Sequence, residues 1–199
     1  MSDLTRTTTT LLDGLLDPRN VDAWRVFDSR YRPLVIAYAR RRGLQHADAE
    51  DLSQIVLGDF VKAYSSGQYD RQRGRLRHWL GGLAARRIAD WFRQRGREVQ
   101  PIDGNSQTPL LDKVPAEDEQ NQLWEDEWER YLLAHCKEQI QKEFSAEYKQ
   151  VFEEYILKGR SADDVARELG VTRNAVYICK TKLLARIREI RNELECASG

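Results

Sequence analysis

The stretch SADDVARELGVTRNAV, residues 161–176, decides the fold of the C-terminal part of the chain. It has a small residue at Ala166, a glycine at Gly170 and a branched apolar residue at Val176. The small residue lets two helices cross closely, and the glycine adopts the unusual backbone angles that a tight turn demands. This spacing predicts a helix-turn-helix, whose second helix presents its N-terminal residues to the major groove of DNA.

Capping residues mark the start of both helices in this motif. Ser161 can accept hydrogen bonds from backbone N–H groups of the first helix, and Asp164 completes a pattern that resembles a capping box. Thr172 is the predicted cap of the second helix. An ordinary αα-hairpin with a solvated face is the alternative. The combination of caps, small residue, glycine and local basic charge favours the helix-turn-helix.

The outward residues of the second helix are suited to contact DNA. Arg and Asn can pair bidentately with guanine and adenine edges, and Lys and Arg can neutralise phosphates. The predicted DNA-binding residues here are Arg173, Asn174, Tyr177, Lys180, Thr181 and Lys182, with Arg186 and Arg188 as further phosphate contacts.

Helical periodicity extends over nearly the whole chain. Apolar residues recur at intervals of three and four rather than two, which predicts an all-α protein. Asn20 is a predicted N-cap, Pro33 is expected to kink or divide the helix that follows, and Gly43 to end it. Predicted helices cover residues 20–42, 48–64, 74–95, 117–143, 145–158, 161–169 and 173–192.

Residues 100–116 collect Pro, Gly, Asn and Ser without periodicity and form a predicted linker. The linker separates a predicted N-terminal domain, residues 1–99, from a C-terminal domain, residues 117–199. Both domains are expected to be small and helical, with a flexible acidic connection between them. Within the first, Gly81 and Gly82 predict either close helix packing or a bend, and Ile55 is expected to face the core.

The formal net charge of zero conceals blocks of opposite sign. Thirty-two Lys and Arg residues balance 32 Asp and Glu residues, yet residues 21–100 carry a net charge of +7, residues 101–130 of −7 and residues 158–191 of +5. Two basic blocks and an acidic connector indicate two polyanion-binding modules joined by a repelling segment. Solvated helix faces are the alternative explanation of the basic charge.

The N-terminal basic block is rich in arginine. Residues 71–97 contain nine arginines and a single acidic residue, Asp90, interleaved with aromatic residues. Arginine beside exposed aromatic rings is the combination that holds unpaired DNA, through stacking and phosphate contact. Trp79 and Trp91 also fit the apolar stripe and are expected in the core. The predicted DNA contacts are Arg71, Arg73, Arg75, Arg77, Arg86, Arg87 and Arg93.

Several classes of protein fit the sequence poorly. Three scattered histidines, without ligand spacing, and the lack of P-loop, GxSxG and HExxH motifs argue against an enzyme or a metal site. Three cysteines, an odd number without CxxC spacing, suit a reducing cytoplasm. Neither a membrane span nor a secretory signal is apparent. We therefore expect a cytoplasmic protein without catalytic residues, cofactor or small-molecule substrate.

Four motifs in order resemble bacterial RNA polymerase sigma factors of the small, two-domain extracytoplasmic-function type. Residues 17–34 look like region 2.1 of that family, and residues 48–54 (DAEDLSQ) are similar to region 2.2. Residues 69–93 resemble regions 2.3 and 2.4, and the helix-turn-helix corresponds to region 4. The resemblance runs from about Leu11 to Arg191, with the linker excluded.

This resemblance implies that core RNA polymerase and promoter DNA are the partners. The N-terminal domain would melt the promoter and read the minus-ten element, and the C-terminal domain would read the minus-thirty-five element. The polymerase contacts would be the β′ clamp and the β flap, and an anti-sigma factor is a candidate further partner. The implied polymerase-binding residues are Asp48, Glu50, Asp51, Leu52 and Gln54.

Some features leave alternatives open. Ile55 follows Gln54 where family members usually carry an acidic residue, so the polymerase contact differs in detail.

A stand-alone helix-turn-helix repressor or activator would bind duplex DNA by itself, usually as a dimer on a palindrome. A helical adaptor that binds only proteins would give the arginine-rich block no role. The acidic linker suggests a further hypothesis, that it mimics nucleic acid in the positive channels of the polymerase.

Overall fold

A computed structural model describes residues 8–70, 75–98 and 117–194, with side chains for 10–70, 75–95 and 121–194. Every regular element in these ranges is helical, which confirms the predicted all-α class. The predicted linker, residues 100–116, lies outside them. Two compact units are present, one reaching to Glu129 (the N-terminal unit) and one spanning Arg130–Leu194 (the C-terminal unit).

Four helices build most of the N-terminal unit: α1 (Thr8–Gly14), α2 (Val21–Arg41), α3 (His46–Ser65) and α4 (Leu76–Glu98). Asn20 caps α2 as predicted, since its side-chain oxygen accepts from the Ala23 N–H at 3.1 Å. Aromatic residues form the centre of the core. Phe27 stacks on Phe60 of α3 with ring centroids 5.2 Å apart, and the ring centroids of Phe27 and Tyr31 are 4.9 Å apart. This packing joins α2 to α3 and gives the unit a fixed scaffold.

Three features of this unit differ from the sequence-based expectation. Helix α2 continues through Pro33 and is not divided there, because buried residues on both sides, Tyr31 and Leu34, hold it on the core. Ile55 is 51% exposed rather than inward, since Leu52 and Val56 occupy the buried face of α3. Helix α1 was not predicted at all, although Leu11 and Leu12 within it are fully buried.

Helix α5 (Glu117–Glu143) has the predicted bounds, and its residues up to Glu129 belong to the N-terminal unit. Trp124 packs edge-on against Tyr38 with ring centroids 5.1 Å apart, and Trp128 is fully buried. A Cβ atom on Gly81 would lie 2.9 Å from the indole of Trp124, so close helix packing is the outcome at this glycine. The N-terminal unit thus extends through Glu129, because two tryptophans anchor the first part of α5 on α2 and α4, and the domain bounds given by the sequence stay a prediction.

The C-terminal unit contains the rest of α5, α6 (Ala146–Val151), a π-helical segment (Phe152–Leu157), α7 (Ala162–Leu169) and α8 (Arg173–Leu194). The last two helices match the predicted ones within two residues at each end. The predicted helix at 145–158 is divided into an α-helical and a π-helical part. One hydrophobic cluster joins these elements, and its buried members are Ile140, Val151, Phe152, Ala162, Val165, Ala166, Val176, Cys179 and Leu183.

No helix in the part of the chain that the structure describes has both the length and the apolar character needed to cross a membrane.

The contact between Gly81 and Trp124 gives a testable difference between two adjacent glycines. A Cβ atom on Gly82 would meet no neighbouring side chain within 4 Å, so Gly82→Ala should stabilise the helix by up to about 1 kcal/mol. Gly81→Ala should instead destabilise the unit by about 1–3 kcal/mol, because the new methyl group overpacks against the indole. The measurement is urea-induced unfolding followed by tryptophan fluorescence.

All five tryptophans, at positions 24, 79, 91, 124 and 128, lie in the N-terminal unit, so the fluorescence signal reports that unit alone. Equal changes in unfolding free energy for both variants would contradict the packing described here.

Candidate polymerase and nucleic-acid surfaces

The turn between α7 and α8 is built as the sequence predicts. The Ser161 hydroxyl accepts the Asp164 N–H at 3.1 Å and caps α7, and it lies 2.6 Å from the Asp164 carboxylate. This hydroxyl hydrogen bond lowers the pKa of Asp164. Gly170 ends α7 in the left-handed conformation, with φ of 67°. Thr172 accepts the Ala175 N–H at 3.1 Å and caps α8. Three local interactions thus fix how the chain leaves α7 and enters α8.

The buried face of α8 sets which residues point outward. Val176, Cys179 and Leu183 enter the hydrophobic cluster of the C-terminal unit together with Ala166 of α7. Because a helix turns about 100° per residue, the opposite face carries Asn174. Among the predicted DNA-binding residues of α8, the exposed ones are Arg173, Asn174, Tyr177, Thr181 and Lys182.

Arg173 is held in place by two neighbours at the N-terminal end of α8. Its guanidinium donates to the Tyr177 hydroxyl from Nε at 3.1 Å and from Nη2 at 3.0 Å. The same guanidinium lies 5.5 Å from the centroid of the Tyr177 ring. Nη1 lies 3.6 Å from the Asp163 carboxylate of α7. Both neighbours raise the pKa of Arg173, and the hydrogen bond to Tyr177 contributes more than the charge of Asp163. The side chain is thereby pre-oriented while it stays exposed.

A tyrosine platform beneath the basic residues of α8 was not predicted from the sequence. Tyr155, in the π-helical segment, lies edge-on to Tyr177 with centroids 6.1 Å apart, and the Lys180 ammonium lies 5.1 Å from its ring centroid. The Lys182 ammonium lies 5.8 Å from the ring centroid of Tyr148 in α6. Only tertiary packing brings these tyrosines to α8, so the local sequence pattern could not reveal them.

Arg186 is half-buried and is engaged in ion pairs within the C-terminal unit. It donates to Glu143 at 2.7 and 2.8 Å and to Glu193 at 2.9 Å. These bonds, chiefly that to Glu143, raise the pKa of Arg186, and the same interaction lowers the pKa of Glu143. Arg186 therefore ties the end of α5 to α8, and its phosphate contact stays a prediction. Arg188 is exposed.

The predicted DNA-binding arginines of the N-terminal unit have different environments. Arg71 and Arg73 lie outside the described residues, whereas Arg75 and Arg86 are exposed. Arg87 donates to Asp59 of α3 at 2.6 Å, and Arg93 pairs with Asp90 one turn earlier on α4. Exposure therefore favours Arg75, Arg86 and Arg93 as cations on the surface of this unit, and the DNA contacts stay predictions.

Arg77 is buried, at 8% exposure, and contacts the acidic first part of α5. Its Nη1 lies 3.3 Å from Glu125, and its guanidinium lies 5.5 Å from the Trp128 ring centroid. Glu127, which is also on α5, accepts a hydrogen bond of 2.8 Å from Arg41 of α2. The geometry does not favour the predicted DNA contact of Arg77, because the side chain is enclosed by α5.

The predicted polymerase-binding residues lie on α3 with different exposures. Glu50, Asp51 and Gln54 are exposed, whereas Leu52 is 4% exposed and packs in the core. Asp48 accepts a hydrogen bond from Arg95 of α4 at 3.1 Å. The exposed part of this set is thus an acidic and polar ridge at the start of α3.

A cleft of about 250 Å³ lies between this ridge and α4. Asp48, Asp51 and the exposed Ile55 line one side, and Trp91 and Gln94 line the other. The guanidinium of Arg95 lies 4.7 Å from the centroid of the Trp91 ring. Trp91 is half-buried at this cleft rather than enclosed in the core as expected, and Ile55 and Trp91 give it an apolar floor between acidic residues.

The described residues hold no cluster of His, Cys, Asp and Glu suited to a metal ion. Cys136 and Cys179 are buried free thiols, and burial raises the pKa of each.

The comparison with known proteins agrees with the N-terminal unit. Residues 27–98, from Phe27 in α2 to Glu98 at the end of α4, match the family model of Sigma-70 region 2. The match spans 72 of the 199 residues and shows that this part of the chain is similar to a region of sigma factors. No curated protein matches the chain significantly.

The turn at Gly170 yields a prediction for the C-terminal unit. Gly170→Ala should destabilise this unit by about 1–2 kcal/mol, because a Cβ atom is disfavoured in the left-handed conformation. Gly170→Asn should retain most of the stability, since Asn tolerates this conformation better than other non-glycine residues. The measurement is amide hydrogen exchange at Val176, Cys179 and Leu183. An Asn variant as unstable as the Ala variant would show that space, not backbone conformation, limits this position.

Proposed function

We propose that this protein is a sigma factor of the extracytoplasmic-function type, which binds core RNA polymerase and directs promoter-specific initiation. The observation that carries the proposal is the match of residues 27–98 to Sigma-70 region 2 in the same chain as the capped α7–turn–α8 segment. The first feature supports polymerase binding and promoter recognition. The second supplies a proposed helix-turn-helix for a second promoter element.

In this proposal the cleft between α3 and α4 is the main polymerase contact. Glu50 and Asp51 give the ridge negative charge, and Ile55 and Trp91 supply apolar surface beside it. Such a surface is complementary to a helix of the polymerase clamp that carries basic residues around an apolar stripe. Charge would direct the encounter, and apolar burial would lengthen the lifetime of the complex.

Promoter DNA would contact both units. Two exposed arginines, Arg75 just before α4 and Arg86 within it, would neutralise phosphates of the unpaired strand at the minus-ten element. Helix α8 would enter the major groove at the minus-thirty-five element, with Arg173 and Asn174 directed to base edges. Two separate elements are thus read by two separate units of one chain. Regulation by an anti-sigma factor is compatible with this arrangement, because such a partner would need only to cover either surface.

The decisive experiment combines the purified chain with core polymerase and DNA from upstream of its own gene. We expect specific initiation with the complete mixture and none when either protein is omitted, and only weak duplex binding by the isolated chain. Tight, specific duplex binding by the isolated chain, without initiation in the mixture, would favour the stand-alone regulator instead. Holoenzyme binding to DNA should weaken steeply with salt, because phosphate contacts release counterions; an insensitive complex would favour the protein-only adaptor.

Two substitutions should separate the two activities. Arg173→Ala should lower specific promoter binding by the holoenzyme about 5- to 150-fold, since a good bidentate base contact contributes about 1–3 kcal/mol of discrimination. It should leave core polymerase affinity unchanged. Asp51→Ala should weaken core polymerase affinity and leave the sequence preference of assembled holoenzyme intact. Polymerase affinity is measured by fluorescence titration, and promoter binding by competition with unrelated DNA.

Matched controls remove the same charges from other exposed sites. Arg167→Ala, on α7, and Asp22→Ala, on α2, should affect neither activity, as their side chains are each 78% exposed. Parallel loss of both activities in the Arg173→Ala and Asp51→Ala variants would contradict the division of roles between the units.

A further inference from the structure

An apolar side chain lies exposed among the polar residues of α8. Ile178 is 49% exposed, although its neighbours Val176 and Cys179 are buried. It is not among the predicted DNA-binding residues, all of which carry polar or charged groups. Single exposed apolar residues are common on protein surfaces, so exposure alone assigns it no role. The face of α8 on which Ile178 lies indicates a role.

Ile178 belongs to the outward face of α8. With about 100° between successive residues, Asn174 and Thr181 lie opposite the buried stripe, and Tyr177 and Ile178 flank them on either side. Lys182 follows Ile178 by one turn and is exposed. The isoleucine therefore lies beside Asn174, which is proposed to reach a base edge, and within the first two turns of the helix.

The surroundings of Ile178 suit DNA better than a protein partner. A stable protein interface buries about 800 Å² on each side, which far exceeds the surface of one isoleucine surrounded by Asn174, Thr181 and Lys182. The segment 158–191 carries a net charge of +5. A polyanion would complement the positive charge of this segment. If its surface also carries small apolar groups at defined positions, one such group would fit against the single exposed isoleucine.

Thymine supplies such a group. Its C5-methyl group is the apolar feature that distinguishes it in the major groove, and apolar side chains contact it directly. We propose that Ile178 is a specificity-determining residue that packs against the methyl group of a thymine in the upstream promoter element. The inference rests on the proposed function of α8, and it adds a preference for thymine at a position next to the base that Asn174 faces.

The test is a double-mutant cycle between Ile178 and the methyl group. Each thymine of the upstream element is replaced in turn by deoxyuridine, which lacks only that methyl group, and holoenzyme affinity is measured for the wild-type protein and for Ile178→Ala. At one thymine, deoxyuridine should weaken wild-type binding about fourfold, the value expected for burial of one methyl group. The same replacement should leave binding by the Ile178→Ala holoenzyme unchanged.

Controls and contrary outcomes are distinct. Leu133→Ala removes another exposed apolar side chain, 46% exposed on α5, and should keep the full deoxyuridine effect. Ile178→Val should keep part of it, and because the side chain is exposed both variants should fold. Equal deoxyuridine effects with and without Ile178, or no effect at any thymine, would overturn this inference while sequence-specific initiation upholds the proposed function. Loss of core polymerase affinity in Ile178→Ala, without thymine dependence, would assign the residue to a protein contact and overturn the inference. Absence of any specific promoter complex would overturn both.

Discussion

The rotation of α8 about its own axis is the constraint on which the rest of the C-terminal unit depends. Burial of Val176, Cys179 and Leu183 fixes that rotation, and the left-handed turn at Gly170 fixes the point where the helix begins. A shift of one residue would turn the helix by about 100° and replace the outward polar face with another set of side chains. The outward position of Asn174 and Tyr177 is therefore a consequence of apolar packing on the opposite side of the helix.

Ion pairs engage several of the basic residues that the charge pattern indicates. Arg186 is engaged by glutamates of α5 and α8, and Arg87 and Arg77 are paired with acidic residues of α3 and α5. The net charge of a block therefore overstates its capacity to bind a polyanion. Arg75 and Arg86 on the first unit, and Lys182 on the second, keep exposed positions. The charge pattern correctly indicates basic regions, but the contacts determine the surface that a partner meets.

Local signals were sufficient to predict much of the fold. Asn20, Ser161 and Gly170 act on neighbouring backbone groups, so their roles could be read from adjacent residues and were confirmed. The bounds of α5 followed from a long amphipathic pattern. Helix α1 was not predicted because its seven residues form only about two turns, which is too short a segment for a helical repeat of apolar residues to be recognised. The division of residues 145–158 into α- and π-helical parts also left no signal in the periodicity.

Long-range contacts were beyond the reach of the sequence pattern. Trp124 lies within the predicted helix at 117–143, but nothing local shows that it packs against Gly81. The exposure of Ile55 and the enclosure of Arg77 depend in the same way on neighbours distant in the sequence. Among the candidate site residues, Glu50, Asp51, Arg173 and Asn174 are exposed as a binding role requires, although their partners stay predictions.

The tie between Glu143 and Arg186 has a consequence for acid resistance. Because the bound arginine lowers the pKa of Glu143, the folded protein releases this carboxyl proton more readily than the unfolded chain does. The stabilisation is fully present above the pKa of an unfolded-state glutamate, about 4.3, and is lost only as the pH falls through the lower folded-state value. A mild drop in the surrounding pH would therefore leave the anchorage of α8 to α5 intact, and the helix would keep its support during acid stress.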